Sequence, residues 1–479
     1  MPLLLTYQNS NFRHHIEYSL TALFRLIFQD FLVIPYEQLK STALSTDTLI
    51  ISYGKNKPTC ISKFNIHIYE SILFSEQYLH LTSLPQKPLT LNTGIPILYH
   101  ASQQITGNIK KDKHSLETSF DLVASVFFML SQYEEVISPH FDQHGRISAH
   151  SSLAYREHFL ARPIVNEYAL LIKQWIIDIG FPISSLLQPN NRFNVCLTHD
   201  IDQLSKYPLI RSVTKAASLL VRGQKNQFTE YSTQLWNVLA KKKLDPYKNI
   251  KTILSLEKEY GVRSTFLFLV NNEYNNKFNY DISSPYVRQQ ISSLLSTNNE
   301  IALHGSPKAS RESSVLLHQK IKLEQIVGRK TTSNRYHFLQ FNPTITPGIL
   351  EKAKIEIDST VGYFDHEGFR AGICTPYYLF DLGRGQATSV LEVPLIIMDC
   401  TLERPQYRGL SLQDSKTISQ QYIKTVSSYN GCCSILWHNT YFVEGDFTGY
   451  TDLYRDIICM IKNQRGSTIT LREAHQQYS

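Results

Sequence analysis

A chain of 479 residues with 48 Lys and Arg against 41 Asp and Glu carries a net charge of +7, too little for its length to mark a nucleic-acid binder. Its 42% hydrophobic and 19% charged residues describe a folded globular protein of two or three domains and exclude a disordered one. No uninterrupted apolar run reaches the ~18 residues that a transmembrane segment needs. The opening MPLLLTYQNSNFRHH lacks the basic stretch and apolar length of a secretion signal. The seven cysteines are odd in number and contain no C-x-x-C pair, so neither a disulfide framework nor a zinc knuckle is expected. A cytoplasmic location follows as the expectation.

In chain order, short β-like runs at 48–53, 64–68 and 95–99 lead into helical patterns at 121–133 and 167–179. Residues 1–185 read as a smaller mixed α/β N-terminal domain, and no motif within them ties to chemistry. The stretch FPISSLLQPNNR, residues 181–192, holds two prolines, two serines and two asparagines and marks the boundary. Beyond it, strand-like runs at 194–198, 264–269, 300–304, 333–337 and 434–438 alternate with helical ones at 248–260, 286–296 and 312–328. That alternation predicts parallel strands with crossover helices, an α/β sheet or barrel over residues 192–479. The densest basic run, Lys241-Lys242-Lys243, reads as a solvated face. No Gly-rich phosphate loop follows any strand, which disfavours a nucleotide cradle.

Several of these strands finish in residues able to bind a ligand: His199-Asp200-Ile201-Asp202, His304, Arg335 with His337, and Trp437-His438-Asn439. Parallel barrels assemble their active sites from the C-terminal ends of several strands. Side chains two apart share a face, so Thr198, Asp200 and Asp202 point together while His199 points away, and Arg335 and His337 share a face. Two adjacent carboxylates repel unless a cation compensates them, and a divalent metal does so. One carboxylate can then hold the metal while the other accepts a proton. Cys432 and Cys433 sit within a buried strand and read as core.

These residues resemble the motifs of the NodB-homology polysaccharide deacetylases, carbohydrate esterase family 4. LTHDIDQL matches the family's Asp-x-Asp motif, EIALHGS its metal-binding histidine at His304, NRYHF its arginine motif at Arg335, and ILWHN its catalytic histidine at His438. EIDSTVGYFDHEGFR and LEVPLIIMD also look like the family, with Asp399 a partner for His438. Upstream, DLVASVFFMLSQYEE and DQHGRISAHSSLAYREHF look like an uncharacterised domain that precedes such barrels in bacterial surface-glycan proteins. The resemblance implies a distorted (β/α) barrel and the hydrolytic removal of an acetyl group from an amino sugar, glycan or glycan precursor. It further implies a divalent metal, zinc or a similar ion, held by Asp202 and His304, with Asp200 as general base oriented by Arg335 and His438 as general acid.

The chain departs from the family at one position. Lys308 stands where a second histidine ligand is usual, and a protonated lysine cannot ligate a metal. His337 is the expected replacement and His199 the alternative. If neither serves, the metal is held weakly or the barrel is a non-catalytic carbohydrate-binding or scaffolding relative.

Overall fold

The computed structural model describes residues 3–39, 42, 45–59, 62–102, 107–183, 192–270 and 280–479. A first sheet is built from β1 (Leu3–Tyr7), β2 (Leu32–Pro35), β3 (Leu49–Gly54) and β4 (Phe64–Tyr69). A two-stranded piece, β5 (Leu89–Thr90) and β6 (Pro96–Ile97), precedes its last two strands, β7 (Ile109–Lys111) and β8 (Ser115–Thr118). The order is β2-β1-β3-β4-β8-β7, parallel except for the β7/β8 hairpin. Every residue of β1 (LLLTY) and β3 (LIISYG) is buried, as continuous apolar strands covered on both faces should be.

Local chemistry trims two expected elements here. The strand read at 95–99 shrinks to β6, where Pro96 brings no N–H to a ladder. The helix read at 121–133 becomes Leu122–Leu130, capped by the Asp121 carboxylate on the Ala124 N–H at 2.8 Å. Gln132 then turns left-handed at φ 51°, and a short helix follows at Tyr133–Ile137. Of the expected boundary at 181–192, residues 184–191 lie outside the described residues.

The second sheet contains β9 (Asn194–Ile201), β10 (Thr265–Phe268), β11 (Glu300–Gly305), β12 (Ser333–Tyr336), β13 (Ile357–Asp358), β14 (Tyr377–Asp381), β15 (Gln386–Glu392), β16 (Leu395–Met398), β17 (Cys432–Leu436) and β18 (Ser467–Thr468). Its order is β14-β15-β13-β12-β11-β10-β9-β17-β16, with β18 also on β9 and only β14 antiparallel. The chain crosses directly from β15 to β16, between two strands far apart in that order. Within the crossing, the Val393 N–H donates to the Asp358 carbonyl at 2.9 Å and the Pro394 carbonyl accepts from the Ser434 N–H at 2.8 Å. The sheet therefore curls into a distorted (β/α) barrel whose seam is this passage. Between β9 and β10 the chain makes a helical hairpin, Leu209–Val221 and Lys225–Leu239, which the sequence pattern did not suggest.

Strand parity stacks the barrel interior in layers. At the base, Cys196, Cys432, Ile357, Leu391 and Val393 form a small apolar cluster with Leu471 of the terminal helix Leu471–Tyr478. One step up, Thr198, Arg335, Ser359 and Ser434 make a polar layer, each fully or almost fully buried. A further step brings Asp200 and His304, at the strand ends. The same two-residue rhythm that hides Cys196 thus carries Asp200 to the mouth.

The two halves pack through one continuous hydrophobic cluster, from Leu3 to Ile461. Glu135 accepts from Arg370 Nε at 2.8 Å and Nη2 at 2.7 Å, with both side chains buried. Gly372 accepts from the Val165 N–H, and Phe369 donates to the Leu160 carbonyl.

Candidate functional site

Three donors converge at the barrel mouth. Asp202 Oδ1 lies 3.3 Å from His304 Nε2 and 3.3 Å from His337 Nδ1, and the two ring nitrogens are 3.0 Å apart. Ligands about 2.0–2.1 Å from a tetrahedral ion stand about 3.3 Å from one another, so this triangle has the size of one face of such a shell. His304 Nδ1 contacts the Arg335 carbonyl at 2.9 Å. A carbonyl only accepts, so Nδ1 holds the proton and Nε2 turns its lone pair to the centre. Asp202 Oδ1 is buried without a hydrogen bond. An orphaned carboxylate oxygen between two imidazoles is the donor set of a divalent cation, and the residues present fit one.

His337 lies one residue beyond β12. Strand β12 stops at Tyr336, and residues 337–339 form a tight turn with Phe338 at φ 64° and Leu339 at φ 55°. Tyr336 before the ring is extended (φ −79°, ψ 136°), so His337 keeps the inward face of Arg335 and the chain turns only after it. From the N-terminal half, His144 stacks on Phe338 at 4.7 Å and 19°, and its carbonyl accepts from Gln340 Nε2. His199 is elsewhere: Nδ1 donates to the Trp437 carbonyl at 2.7 Å, while Nε2 faces Glu257 at 3.0 Å and Tyr454 at 3.2 Å, all buried outside the barrel wall. The alternative ligand role for His199 is thereby corrected, because both ring nitrogens are engaged away from the centre. Lys308 sits on the turn after β11, more than half exposed, with its ammonium 3.8 Å from Glu312.

Two further pairs flank the triangle. Asp200 Oδ1 accepts from Arg335 Nη1 at 3.0 Å, leaving Oδ2 3.6 Å from His304 Nε2. Arg335 is itself fixed by Thr198 Oγ1 at 2.8 Å, the Ser359 carbonyl at 2.7 Å, Ser359 Oγ at 3.0 Å and Ser434 Oγ at 3.2 Å. A guanidinium that reaches Thr198 on β9, Ser434 on β17 and Ser359 just past β13 can do so only from inside the barrel. His438 Nδ1 donates to Asp399 Oδ1 at 2.7 Å, and its backbone N–H to Asp399 Oδ2. Its Nε2 points back to Asp202 Oδ2 at 3.8 Å.

The electrostatics follow from these contacts. Burial alone would raise the Asp202 carboxyl, but His337 and His304 overcome it and hold it well below the usual range. Burial lowers His304, yet Asp200 and Asp202 raise it above its ordinary value. For His337 burial wins, and the ring stays neutral more readily. Burial also works against the charged form of His438, but Asp399 dominates and pushes it up to about 9.

All six residues singled out from the sequence, Asp200, Asp202, His304, Arg335, His337 and His438, therefore lie in one cluster. Sequence reasoning missed the polar layer beneath them. Parity puts Thr198 on the Asp200 face but was not applied to Ser359 and Ser434, which share the inward parity of Ile357 and Cys432. It also missed the Glu257–Tyr454 partnership that holds His199.

Residues 4–180 match a family described as one of unknown function, DUF7033. No curated protein matches the chain. Among solved structures, the chain is similar to a protein from Mycobacterium smegmatis described as a polysaccharide deacetylase, at 15% identity and TM-score 0.40, over 60% of this chain and 91% of that one. It is similar to Puue allantoinase at 12% identity and TM-score 0.40, over 60% and 91%. It is also similar to the chitin deacetylase of the fungal pathogen Colletotrichum lindemuthianum at 13% identity and TM-score 0.33, over 60% and 89%. No helix among the described residues is long and apolar enough to cross a membrane.

Proposed function

We propose that this protein is a metal-dependent hydrolase that removes an acetyl group from an amino sugar, glycan or glycan precursor, as its motifs' resemblance to the NodB-homology polysaccharide deacetylases implies. The observation that carries the reading is the Asp202–His304–His337 triangle, flanked by Asp200 on Arg335 and by His438 on Asp399. With His337 completing the ligand set, Lys308 costs the site nothing, which favours catalysis over a scaffolding role. Three N/O ligands suit zinc, and iron, cobalt or manganese share that chemistry. When bound, such an ion supplies Lewis acidity to an acyl oxygen and to water.

In this reading the chain's own groups move the protons. Asp200, with one oxygen pinned by Arg335, takes the proton of the attacking water on its other oxygen. Arg335 keeps that carboxylate oriented. His438, protonated at neutral pH because of Asp399, delivers a proton from Nε2 to the leaving nitrogen or oxygen. Asp399 holds the ring and stabilises its charge. The free cysteines among the described residues, five of them buried, suit the cytoplasm expected from the sequence.

The test is direct. The purified protein is analysed for bound metal by mass spectrometry and assayed for acetate release from acetylated amino sugars, oligosaccharides and nucleotide sugars. One divalent ion per chain and chelator-sensitive acetate release are expected. A protein that binds no divalent ion at neutral pH refutes the reading.

A further inference from the structure

The hairpin between β9 and β10 concentrates the molecule's charge. Residues 209–244 hold seven Lys and Arg, including Lys241-Lys242-Lys243, and one acid, Glu230, a net of +6 within a chain whose whole net charge is +7. The two helices, Leu209–Val221 and Lys225–Leu239, are tied midway along their length, where Lys215 Nζ lies 4.7 Å from the centre of the Tyr231 ring. The hairpin is also apolar on its outside. Val213, Ala217, Leu220 and Val221 recur at i, i+4, i+7 and i+8 on one face of the first helix, and all four are exposed. Val221 is 87% exposed, and Trp236 on the second helix is 63% exposed, with Leu239 and Leu244 beyond it. Isolated surface leucines need no explanation, but a helical stripe of them beside an exposed tryptophan and clustered lysines does.

Its position gives the feature meaning. A cavity of about 510 Å³ opens at the root of the hairpin, lined by Lys206, Arg211, Lys215, Tyr231 and Tyr247 and by Gln203, the residue after Asp202. The basic hairpin therefore stands at the rim of the barrel mouth.

We propose that the hairpin docks the barrel mouth onto an anionic bilayer surface. Its exposed aliphatic stripe and Trp236 enter the headgroup layer while its lysines meet the lipid phosphates, the division of labour of an interfacial amphipathic helix. The charge distribution selects this occupant: nearly all the molecule's net positive charge sits on the one element that also exposes a row of aliphatic side chains. The lysine run that reads as a solvated face in the sequence is then a lipid-facing one. The inference does not depend on the site being catalytic.

Vesicle sedimentation of the full chain tests it. The protein should sediment with vesicles of equal parts phosphatidylcholine and phosphatidylglycerol, stay in solution with phosphatidylcholine alone, and be released by salt. Replacing Lys241, Lys242 and Lys243 together by Gln should weaken binding about 100-fold, at about fivefold for each lysine near a charged surface. Trp175 and Trp437 are buried, so a blue shift of tryptophan emission on binding should come from Trp236 and vanish in Trp236→Phe. All these positions are exposed, and unchanged thermal melting of the variants confirms an intact fold. No binding to anionic vesicles at low salt overturns the proposal, as does equal binding by the triple variant. Self-association in solution that Trp236→Phe abolishes, without vesicle binding, assigns the face to a second copy and likewise overturns it.

Discussion

Replacing His337 by Ala should cost the protein most of its metal affinity. The ring supplies one of three side-chain donors, 3.3 Å from Asp202 Oδ1 and 3.0 Å from His304 Nε2. A four-ligand structural zinc site is worth about 10–16 kcal/mol, or about 2.5–4 kcal/mol for each ligand, which translates to roughly 100-fold to 1,000-fold in Kd. The loss should sit at the low end, because the departing ring lets water in as a substitute donor. Lys308→Ala serves as the control, since Lys308 is exposed and faces Glu312, and its affinity should stay within about twofold of wild type, as for a surface change without buried partners. Competition against a chromophoric chelator reads both constants, and the visible spectrum of the cobalt-loaded protein reports the geometry. A tetrahedral cobalt spectrum should become weaker and shift in His337→Ala. If His337→Ala binds as tightly as wild type while Lys308→Ala does not, the third ligand has been misassigned and the 337–339 turn has no metal role.

The remaining expectations concern acid–base chemistry and packing. Asp399 is the main cause of the raised His438 value, so Asp399→Asn should lower it. Protonated His438 is the active acid and activity fades as pH rises through its pKa, so the alkaline limb of the kcat/KM profile should move to lower pH, by roughly 1–3 units. An unmoved alkaline limb would assign that limb to another group. Glu135→Ala leaves the buried Arg370 without its bidentate partner and should destabilise the protein by about 3–5 kcal/mol, seen as a lower denaturant midpoint. A loss under about 1 kcal/mol would show that water reaches Arg370. Glu257→Gln, which disturbs His199 outside the wall, should lower the melting temperature and leave metal affinity unchanged.

Much of the site is legible in the sequence because strand parity is a strict rule. Asp200 and Asp202 are two apart, and the same count places Thr198 below them, where it binds Arg335. The motif strands β9, β11, β12 and β17 are long or distinctive enough to read. The two-residue β13 and the β15–β16 seam are not, because their pairing depends on distant partners rather than on local pattern. The turn after His337 shows the limit most clearly. Parity places His337 on the Arg335 face, and the ring lies there, yet the left-handed Phe338 and Leu339 that follow leave no mark in the sequence pattern. The packing of His144 against that turn comes from the other half of the chain and leaves no mark in either segment. The hairpin at 209–239 is an insertion between strands, and its exposed aliphatic face mimics a buried one until the fold shows that nothing described covers it.

In the proposed function the two carboxylates at the end of β9, Asp200 and Asp202, have separable jobs in proton transfer and metal binding. Paired metal analysis and acetate-release kinetics on Asp200→Asn and Asp202→Asn make that separation. Asp200→Asn should keep its metal, since Asp200 is bound to Arg335 rather than placed in the ligand triangle, and should lose about 100-fold to 10,000-fold in turnover, the usual worth of a positioned general base. Asp202→Asn should bind metal weakly and recover part of its activity when metal is added. Metal-loaded wild-type protein that releases no acetate across the panel, or Asp200→Asn that turns over as fast as wild type, contradicts the account.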